Sequence, residues 1–492
     1  MSQDPTYNWN EPQRQAPAGL WFILYKALLN IVKLIWPLVA ALLLQKKSRG
    51  TEIFEILLIA IPVLLLLRAI IEFYYFRFYI ENEELIIKKG FISRRTIAIP
   101  LAKIQAVHLE QSLLHQALDI TRLIIDTAGS EKAEAKIDAI RVMKAESLKA
   151  FLMHEHKEPL SGEESKPVVA ENPFIRLSFT DLLKLGISSN HIQAFFIVLA
   201  FVFSAIQNLR EVVDDRLIQS VEDSSVEFFL NAIPLVVILV LFISVVTSMI
   251  RVILMYFDFQ LTESIQGYKL KTGLINTRQY LVRFSKIQII SWEANWLRRK
   301  LNLFHLEFHQ VSGEKVNHKQ KAKVPITQPV FLEKLLTHYH PDIRPTAHSV
   351  HHIHKIYPFR RMLFLGMLPV GIILLVLSIF IWKYWFLLLA FAIPYVYINS
   401  WFYRRNFRLY ISPDALQITR GIWGRHYGIL KWYKIQQVIL TQSIYQRQHQ
   451  LASVRLVTAG GNVDIPYVSL QLANTIRNYA LYEIERSTQS WL

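Results

Sequence analysis

Basic residues at matching positions in the sequence are the first candidates for chemistry. A lysine begins each copy of the tripeptide Lys-Ile-Gln, at Lys103, Lys286 and Lys434, and other basic side chains precede each copy. A basic side chain near an anionic membrane surface contributes about 1 kcal/mol to binding. The candidate contacts for lipid headgroups or for a protein partner are Lys103, Lys286, Lys434, Arg94, Arg95, Arg278 and Arg425.

The tripeptide also has a structural interpretation. Each copy follows a glycine by thirteen residues, and a spacing that recurs in register indicates a repeated module. In this interpretation the isoleucine is buried at the start of a strand, while the lysine and the glutamine face solvent. The signature residues that we expect to be structural are Gly90, Ile104, Gln105, Gly273, Ile287, Gln288, Gly421, Ile435 and Gln436.

Histidines cluster in one polar stretch, at His338, His340, His348, His351, His352 and His354. The spacing of His351 and His354 would suit metal ligands, but Asp342 is the one carboxylate within the stretch, so we predict a linker rather than a metal site. The sequence has no cysteine, which excludes disulfides and cysteine-based chemistry. It has no hydrolase elbow, phosphate-binding glycine loop or zincin motif. We therefore predict no enzyme activity, no metal and no cofactor.

The residues around the three tripeptides predict one module that occurs three times. An aromatic run precedes each signature glycine, and Gly129, Gly313 and Gly460 follow the tripeptides as turn glycines. Short runs rich in Ile, Val and Leu predict strands, and the apolar spacing near the end of each module predicts a closing helix. Several strands followed by one helix indicate three α+β domains, over residues 77–153, 257–338 and 402–485.

Long apolar runs between the modules predict membrane spans. Hydrophobic residues form 52% of the chain and the mean hydropathy is +0.25. A span needs about 20 mostly apolar residues, and we predict six spans in three helical hairpins, over residues 20–76, 177–256 and 360–401. Residues 1–19 are predicted to be disordered. Residues 154–176 and the histidine-rich residues 339–359 are predicted linkers.

The charge pattern predicts how the modules are oriented. Each hairpin returns the chain to its starting side, so all three modules and both termini should share one face of the membrane. Basic residues such as Arg251, Arg404 and Arg405 lie at the module ends of the spans, whereas residues 207–227 are acidic. The excess of positive charge predicts that the modules are cytoplasmic. The basic residues at 46–49 are an exception, since they would face outward.

The glycines, the tripeptides and the turn glycines, flanked by paired spans, resemble the bacterial pleckstrin-homology (PH) family of membrane-flanked domains in its three-copy, YdbT-like arrangement. The resemblance covers most of residues 20–485, and the second copy departs from it by a two-residue insertion before Gly273. The resemblance implies modules that are bent, barrel-like antiparallel sheets, each capped by a C-terminal helix, in a bacterial inner-membrane protein. It implies no activity, because the family has no catalytic motif to transfer.

Together these features predict a non-catalytic membrane protein whose PH-like modules bind or scaffold other molecules. The expected partners are anionic lipids of the membrane leaflet, an unidentified protein or a second copy of the chain, and not nucleic acid. Three weak sites on one chain would gain avidity through effective concentration. The alternative is a transporter or export component whose six spans form a path gated by the modules. Polar residues facing a shared cavity between the spans would favour that alternative.

Overall fold

The computed structural model of the chain describes residues 7–44, 51–91, 93–127, 135–154, 173–212, 226–264, 267–310, 322–339, 350–380 and 388–487. The chain forms two compact units. Unit 1 comprises Met1–Phe174, Thr262–Leu281 and Ser312–Gln320, and unit 2 comprises Ile175–Leu261, Val282–Val311 and Lys321–Leu492. The boundary falls inside the second module, so this module contributes strands to both units.

Unit 1 contains two long helices and the strands of the first module. Its helices are α1 (Gly19–Leu44), α2 (Thr51–Tyr75), α3 (Leu113–Ala117) and α4 (Val142–His154). The strands of the first module are β1 (Gln13–Arg14), β2 (Arg77–Glu81), β3 (Glu84–Lys89), β4 (Arg95–Pro100), β5 (Ile104–Gln111), β6 (Ile120–Thr127) and β7 (Ala135–Arg141). Strand β10 (Gly267–Thr272) of the second module also lies in unit 1, while β9 (Gln260–Ser264) and β11 (Thr277–Arg283) cross the boundary.

The first module consists of two antiparallel sheets around one core. Strands β1 to β4 form the first sheet in chain order, and β5, β6 and β7 form the second. Because side chains alternate between the faces of a strand, each sheet presents an apolar face. Phe78 and Ile99 of the first sheet pack with Leu123 of the second, and Leu148 of the closing helix α4 completes the cluster. All four side chains are fully buried.

The N-terminal segment is ordered from Tyr7 onward, although the sequence predicts disorder for residues 1–19. Gln13 of β1 pairs with Phe78 of β2. Trp9 is 6% exposed in the core of the first module, and its carbonyl oxygen accepts a hydrogen bond from Ile80 N (2.8 Å). The prediction of disorder is wrong for residues 7–19 because the apolar surface that holds them belongs to strands distant in sequence. Residues 1–6 lie outside the described residues.

The second sheet of the first module continues into the second module. Strand β11 pairs antiparallel with β5, with Thr277 opposite Gln111 and Arg278 opposite Glu110. The sheet within unit 1 therefore runs in the order β7–β6–β5–β11–β10. An ion pair crosses this junction, because Nε of Arg278 lies 3.6 Å from Oε1 of Glu110.

Unit 2 contains the remaining helices and strands. Its helices are α5 (Phe179–Ile187), α6 (Ile192–Val212), α7 (Val226–Tyr256), α8 (Trp296–Lys300), α9 (Pro329–Tyr339), α10 (Tyr357–Arg361), α11 (Leu368–Phe380), α12 (Leu389–Asn406), α13 (Ile444–Gln448) and α14 (Leu470–Arg486), with a π-helical segment, Met362–Met367, between α10 and α11. Its strands are β8 (Ile175–Arg176), β12 (Ile287–Ala294), β13 (Phe304–Gln310), β14 (Ala322–Thr327), β15 (Val350–His351), β16 (Arg408–Ile411), β17 (Ala415–Arg420), β18 (Arg425–Lys431), β19 (Ile435–Thr441), β20 (Leu451–Thr458) and β21 (Gly461–Ser469).

A second inter-module junction lies within unit 2. Strand β12 of the second module pairs with β18 of the third, giving a seven-stranded sheet in the order β14–β13–β12–β18–β17–β16–β15. Ile289 of β12 is buried in the core cluster of the third module, together with Leu430. Trp292 stacks on Tyr427 across the junction, with ring centroids 5.2 Å apart. Strands β19, β20 and β21 form the second sheet of the third module.

The prediction of three α+β modules with closing helices holds, but the barrel-like sheet is wrong. In the residues that the structure describes, no sheet closes on itself. The physical reason is that β5 and β12, which could close their own modules, instead pair with the next module. Helix α14 covers the second sheet of the third module with Ala473, Ile476 and Ala480, all buried.

A two-residue strand precedes the helices that lead into each module, in segments that the sequence predicts to be disordered or linkers. Strand β1 pairs with β2, β8 pairs with β9, and β15 pairs with β16. The repeated unit therefore begins before the apolar helices rather than after them. Two residues are too few for a strand to be recognised by alternation.

The predicted number of six spans is too high for the described part of the chain. Three helical stretches are long and apolar enough to cross a membrane: Gly19–Trp36, Pro234–Tyr256 and Tyr357–Ile379. A fourth is present if Phe179–Ile187 and Ile192–Ala205 count as one span, but they are bent by 71°. Helix α12 does not qualify, because its last turns are polar and end in Arg404 and Arg405. Helix α2 carries an Arg68–Glu72 ion pair near its end.

Backbone geometry at three glycines of the third module, among them the signature residue Gly421, gives a test of the fold. Gly421 has φ +132°, and a Cβ there would lie 2.1 Å from the carbonyl oxygen of Gly424. Gly461 has a similar φ of +135° with open space around it, while Gly428 has neither constraint. A non-glycine residue in such a conformation costs about 1–3 kcal/mol. We expect Gly421→Ala to destabilise the protein by more than this, Gly461→Ala by about this much, and Gly428→Ala not at all.

Thermal unfolding in detergent would measure the three glycine variants side by side. Gly428→Ala is the control for adding a methyl group to the same module. A Gly421→Ala protein as stable as Gly428→Ala would contradict the backbone assignment.

Candidate functional site

Each Lys-Ile-Gln tripeptide occupies the same local structure. A 3₁₀ turn ends at the lysine (Leu101–Lys103, Phe284–Lys286 and Trp432–Lys434), and a strand of the second sheet begins at the isoleucine. The isoleucines are 2% exposed or less. The register of each strand shifts at the glutamine, which is a β-bulge. In all three modules the lysine therefore ends a turn, the isoleucine is buried in the core, and the glutamine forms a β-bulge.

The three lysines differ in their surroundings. Lys434 is 2% exposed, and its Nζ donates a hydrogen bond to the carbonyl oxygen of Ser285 (2.6 Å), which lies in the second module. Burial, with a further contribution from Lys431, lowers the pKa of Lys434 to about 8. Lys286 is half-buried, and Lys103 is exposed. Lys103 is therefore the best placed of the three to reach a headgroup.

The predicted arginines divide in the same way between junction and surface. Arg278 faces Glu110 at the first junction, and Arg425 is half-buried opposite Ala294 at the second. Arg94 and Arg95 are exposed. Of the seven predicted contacts, the exposed ones, Lys103, Arg94 and Arg95, all belong to the first module. Binding of lipid or protein by any of the seven stays a prediction.

A junction residue that sequence reasoning missed is Glu293, at the position that matches Glu110. Its Oε2 lies 2.7 Å from Nδ1 of His426, which occupies the position of Arg278. The hydrogen bond with His426 lowers the pKa of Glu293 to about 2, against the opposing effect of burial. Aligning the copies beyond the tripeptide would have revealed an acidic residue at the same position in the first two modules.

The described histidines of the predicted linker have structural contacts. His351 pairs with Leu409 in the sheet, and Nδ1 of His352 lies 3.1 Å from the carbonyl oxygen of Phe407. The backbone N–H of His354 donates to Tyr467 O (2.8 Å). Within the described ranges no three His, Asp or Glu side chains are close enough to hold a metal ion. His340 and His348 lie outside those ranges, and no side-chain placement is described for His338.

A cleft of about 1230 Å³ lies in unit 1, where α1 and α2 meet the first module. Early turns of α1 and late turns of α2 form its walls, and the β3–β4 hairpin and β7 form the rest. Ile23, Leu64, Leu67 and Phe91 give it apolar surface. A pocket with apolar walls and a few charged groups suits an amphiphilic ligand.

Basic side chains predominate in this cleft. Its charged lining residues are Lys26, Arg68, Glu72, Lys89, Arg95, Lys136 and Asp138. Both acids have nearby cations, since Glu72 lies 2.8 Å from Arg68 and Asp138 lies 3.9 Å from Lys26. Among the described residues, none forms an ion pair with Lys89, Arg95 or Lys136.

Two of these cations are forced together by the sheet. Lys89 of β3 is directly opposite Arg95 of β4 in the antiparallel pairing. Like charges at directly opposite positions destabilise a sheet. An anion bound between the two side chains would relieve this repulsion, so the arrangement favours an anionic ligand.

Charge reversal at two of the tripeptide lysines should separate their roles. Lys434→Glu replaces the donor to Ser285 O with an acceptor at a position that is 2% exposed, and a buried acceptor left without a donor costs about 1–3 kcal/mol. Lys103→Glu changes an exposed side chain and should stay within about 0.5 kcal/mol. We expect a lower unfolding temperature in detergent for Lys434→Glu alone. Equal unfolding temperatures for the two variants would refute the structural role of Lys434.

Comparison with known proteins identifies the family. The family model described as "Bacterial PH domain" matches three times, over residues 28–156, 196–341 and 362–484. The UPF0699 transmembrane protein YdbT of Bacillus subtilis (strain 168) is 23% identical over 463 residues, covering 90% of this chain and 92% of that protein. No solved structure matches significantly. With most of its length in three matches to one family model, and with apolar helices beside the modules, the chain is a membrane protein of the bacterial PH domain family.

Proposed function

We propose that this protein is a non-catalytic, membrane-held binding protein whose first module binds an acidic phospholipid in the cleft beside α1 and α2. The observation that carries the proposal is the pair Lys89 and Arg95, which face each other across β3 and β4 on the cleft wall with no acidic partner among the described residues. Lys136 adds a third cation.

The cleft offers surfaces for both parts of a phospholipid. The cationic side chains suit a phosphate, while Leu64 and Leu67 of α2 and Ile23 of α1 suit an acyl chain. The candidate span Gly19–Trp36 includes the α1 wall, so a lipid could enter from the membrane side. In this proposal the first module binds the ligand, and the other two modules scaffold it through the shared sheets.

Lipid selectivity tests the cleft. Lys89→Glu should weaken binding of short-chain phosphatidylglycerol by at least about fivefold, which corresponds to about 1 kcal/mol for one lost favourable charge. Lys88→Glu is the matched control: Lys88 is the neighbouring residue of β3, exposed on the opposite face and outside the cleft lining. Native mass spectrometry of the full chain in detergent would count bound lipids.

Phosphatidylcholine provides the second comparison, because it carries a phosphate without net charge. We expect weaker binding of phosphatidylcholine and little difference between the two variants. If Lys88→Glu and Lys89→Glu reduced phosphatidylglycerol binding equally, the charge of the module as a whole would explain the effect and the cleft would not be the site.

We also infer that all three modules face the cytoplasm of a bacterium. Support comes from the arginines at the module ends of the apolar helices, among them Arg360, Arg361, Arg404 and Arg405. Positive charge next to spans is retained on the cytoplasmic side.

Single cysteines can report this orientation, because the natural chain has none. The exposed residues Lys88, Leu274 and Trp423 sample the three modules. We expect cysteines at these positions to react with a membrane-impermeant maleimide only after the cells are permeabilised. Labelling of any one of them in intact cells would show that its module lies outside.

A further inference from the structure

The two inter-module junctions follow one pairing rule. Within unit 1, Gln111 of β5 lies opposite Thr277 of β11; within unit 2, Ala294 of β12 lies opposite Arg425 of β18. When the modules are aligned on their glycines, Gln111 matches Ala294 and Thr277 matches Arg425. At each junction, the first strand of one module's second sheet pairs with the last strand of the following module's first sheet. The register of the pairing is the same at both junctions.

A cross-strand pair of acid and base recurs at both junctions. Glu110 faces Arg278 at 3.6 Å, and Glu293 faces His426 at 2.7 Å. Cross-strand pairs of this kind help to fix register. Two independent copies of one interface on one chain indicate that the matching strands of this fold are complementary to each other.

Two strands that correspond to the paired junction strands have no junction partner in the described part of the chain. Strand β4 is the last strand of the first sheet in the first module, and β19 is the first strand of the second sheet in the third module. In the described part of the chain, each is a sheet edge with one neighbour, β3 for β4 and β20 for β19.

The side chains of β19 are exposed at positions where those of β12 are covered. Gln288 is 0% exposed and Ile289 is 7% exposed at the second junction. Their counterparts Gln436 and Gln437 are exposed, and the apolar residues Val438, Ile439 and Leu440 are only half-buried. β19 contains no charged residue and no proline. An open strand of this composition is a template for pairing with another chain.

We propose that β19 of one copy of the protein pairs with β4 of a second copy, in the antiparallel register of the two internal junctions. This register sets Leu440 opposite Thr96, Val438 opposite Ala98 and Thr441 opposite Arg95. The contact joins two different surfaces, so it generates a closed ring or an open chain of copies.

Thr441 makes this third junction weaker than the other two. It stands where Glu110 and Glu293 stand, so Arg95 meets a hydroxyl in place of a carboxylate. The copies would then associate reversibly, while the side chain of Arg95 stays available to the cleft. Thr441→Glu restores the acid and should strengthen the association.

Disulfide trapping tests the pairing in the full-length, otherwise cysteine-free chain. Thr96→Cys and Leu440→Cys chains with different tags are coexpressed, and isolated membranes are oxidised with copper phenanthroline. We expect a disulfide-linked dimer that carries both tags. Thr96→Cys alone and Leu440→Cys alone should give little dimer. Replacing Leu440→Cys by Ile439→Cys, which points to the other face, should also lower the yield.

The variant Thr441→Glu should bind a second copy more tightly when no disulfide links the two chains. We expect about a two- to fivefold lower dissociation constant for the Cys-free chain in detergent, measured by mass photometry. Adding Arg95→Glu should abolish the gain.

Two results would overturn the proposal. One is a yield of the dimer with both tags that is no higher than the dimer yield of either single variant, when size-exclusion chromatography shows that both variants are folded. The other comes from a further chain that carries both Thr96→Cys and Leu440→Cys: a disulfide that forms only within that chain would mean that β4 and β19 meet inside one molecule. If Leu440→Cys does not fold, Val438→Cys with Ala98→Cys gives the same test.

Discussion

The backbone hydrogen bonding between neighbouring modules is the constraint on which this structure depends. A strand at the edge of a sheet has unpaired N–H and C=O groups, and these need a partner. Here β5 and β12 find that partner in the next copy of the module. The choice explains why the sheets stay open, why Ile289 lies in the core of the third module, and why the second module is divided between two compact units.

Sharing strands makes three similar copies unequal. Side chains that occupy matching positions are at junctions in the second and third modules and at the surface in the first. Arg278 is next to Glu110, whereas its counterpart Arg95 lines a cleft. Lys434 donates a hydrogen bond to the carbonyl oxygen of Ser285, whereas its counterpart Lys103 is exposed. A repeated residue can therefore be structural in one copy and available for binding in another.

The sequence predicted local features well because they depend on near neighbours. The buried isoleucine, the turn at Gly460 and the closing helices all follow from spacing and composition, whereas Gly129 and Gly313 lie outside the described residues. Sequence reasoning failed where the partner is remote in the chain. The two-residue strands β1, β8 and β15, the pairing of Glu293 with His426, and the order of residues 7–19 depend on surfaces formed by other segments. Within the described residues the number of spans is lower than predicted partly for another reason: a bend separates Phe179–Ile187 from Ile192–Ala205, and polar residues end α12.

The unit of repetition and the unit of folding are out of phase along this chain. Cutting the protein at the module boundaries, as a fragment for expression would be cut, severs a sheet at each end. A middle module produced alone would carry both β11 and β12 without the strands that normally cover them. Such a fragment would expose two unpaired edge strands to other copies of itself. It is expected to aggregate even though none of its residues is altered. Fragments that end between a first and a second sheet would keep the shared strands together.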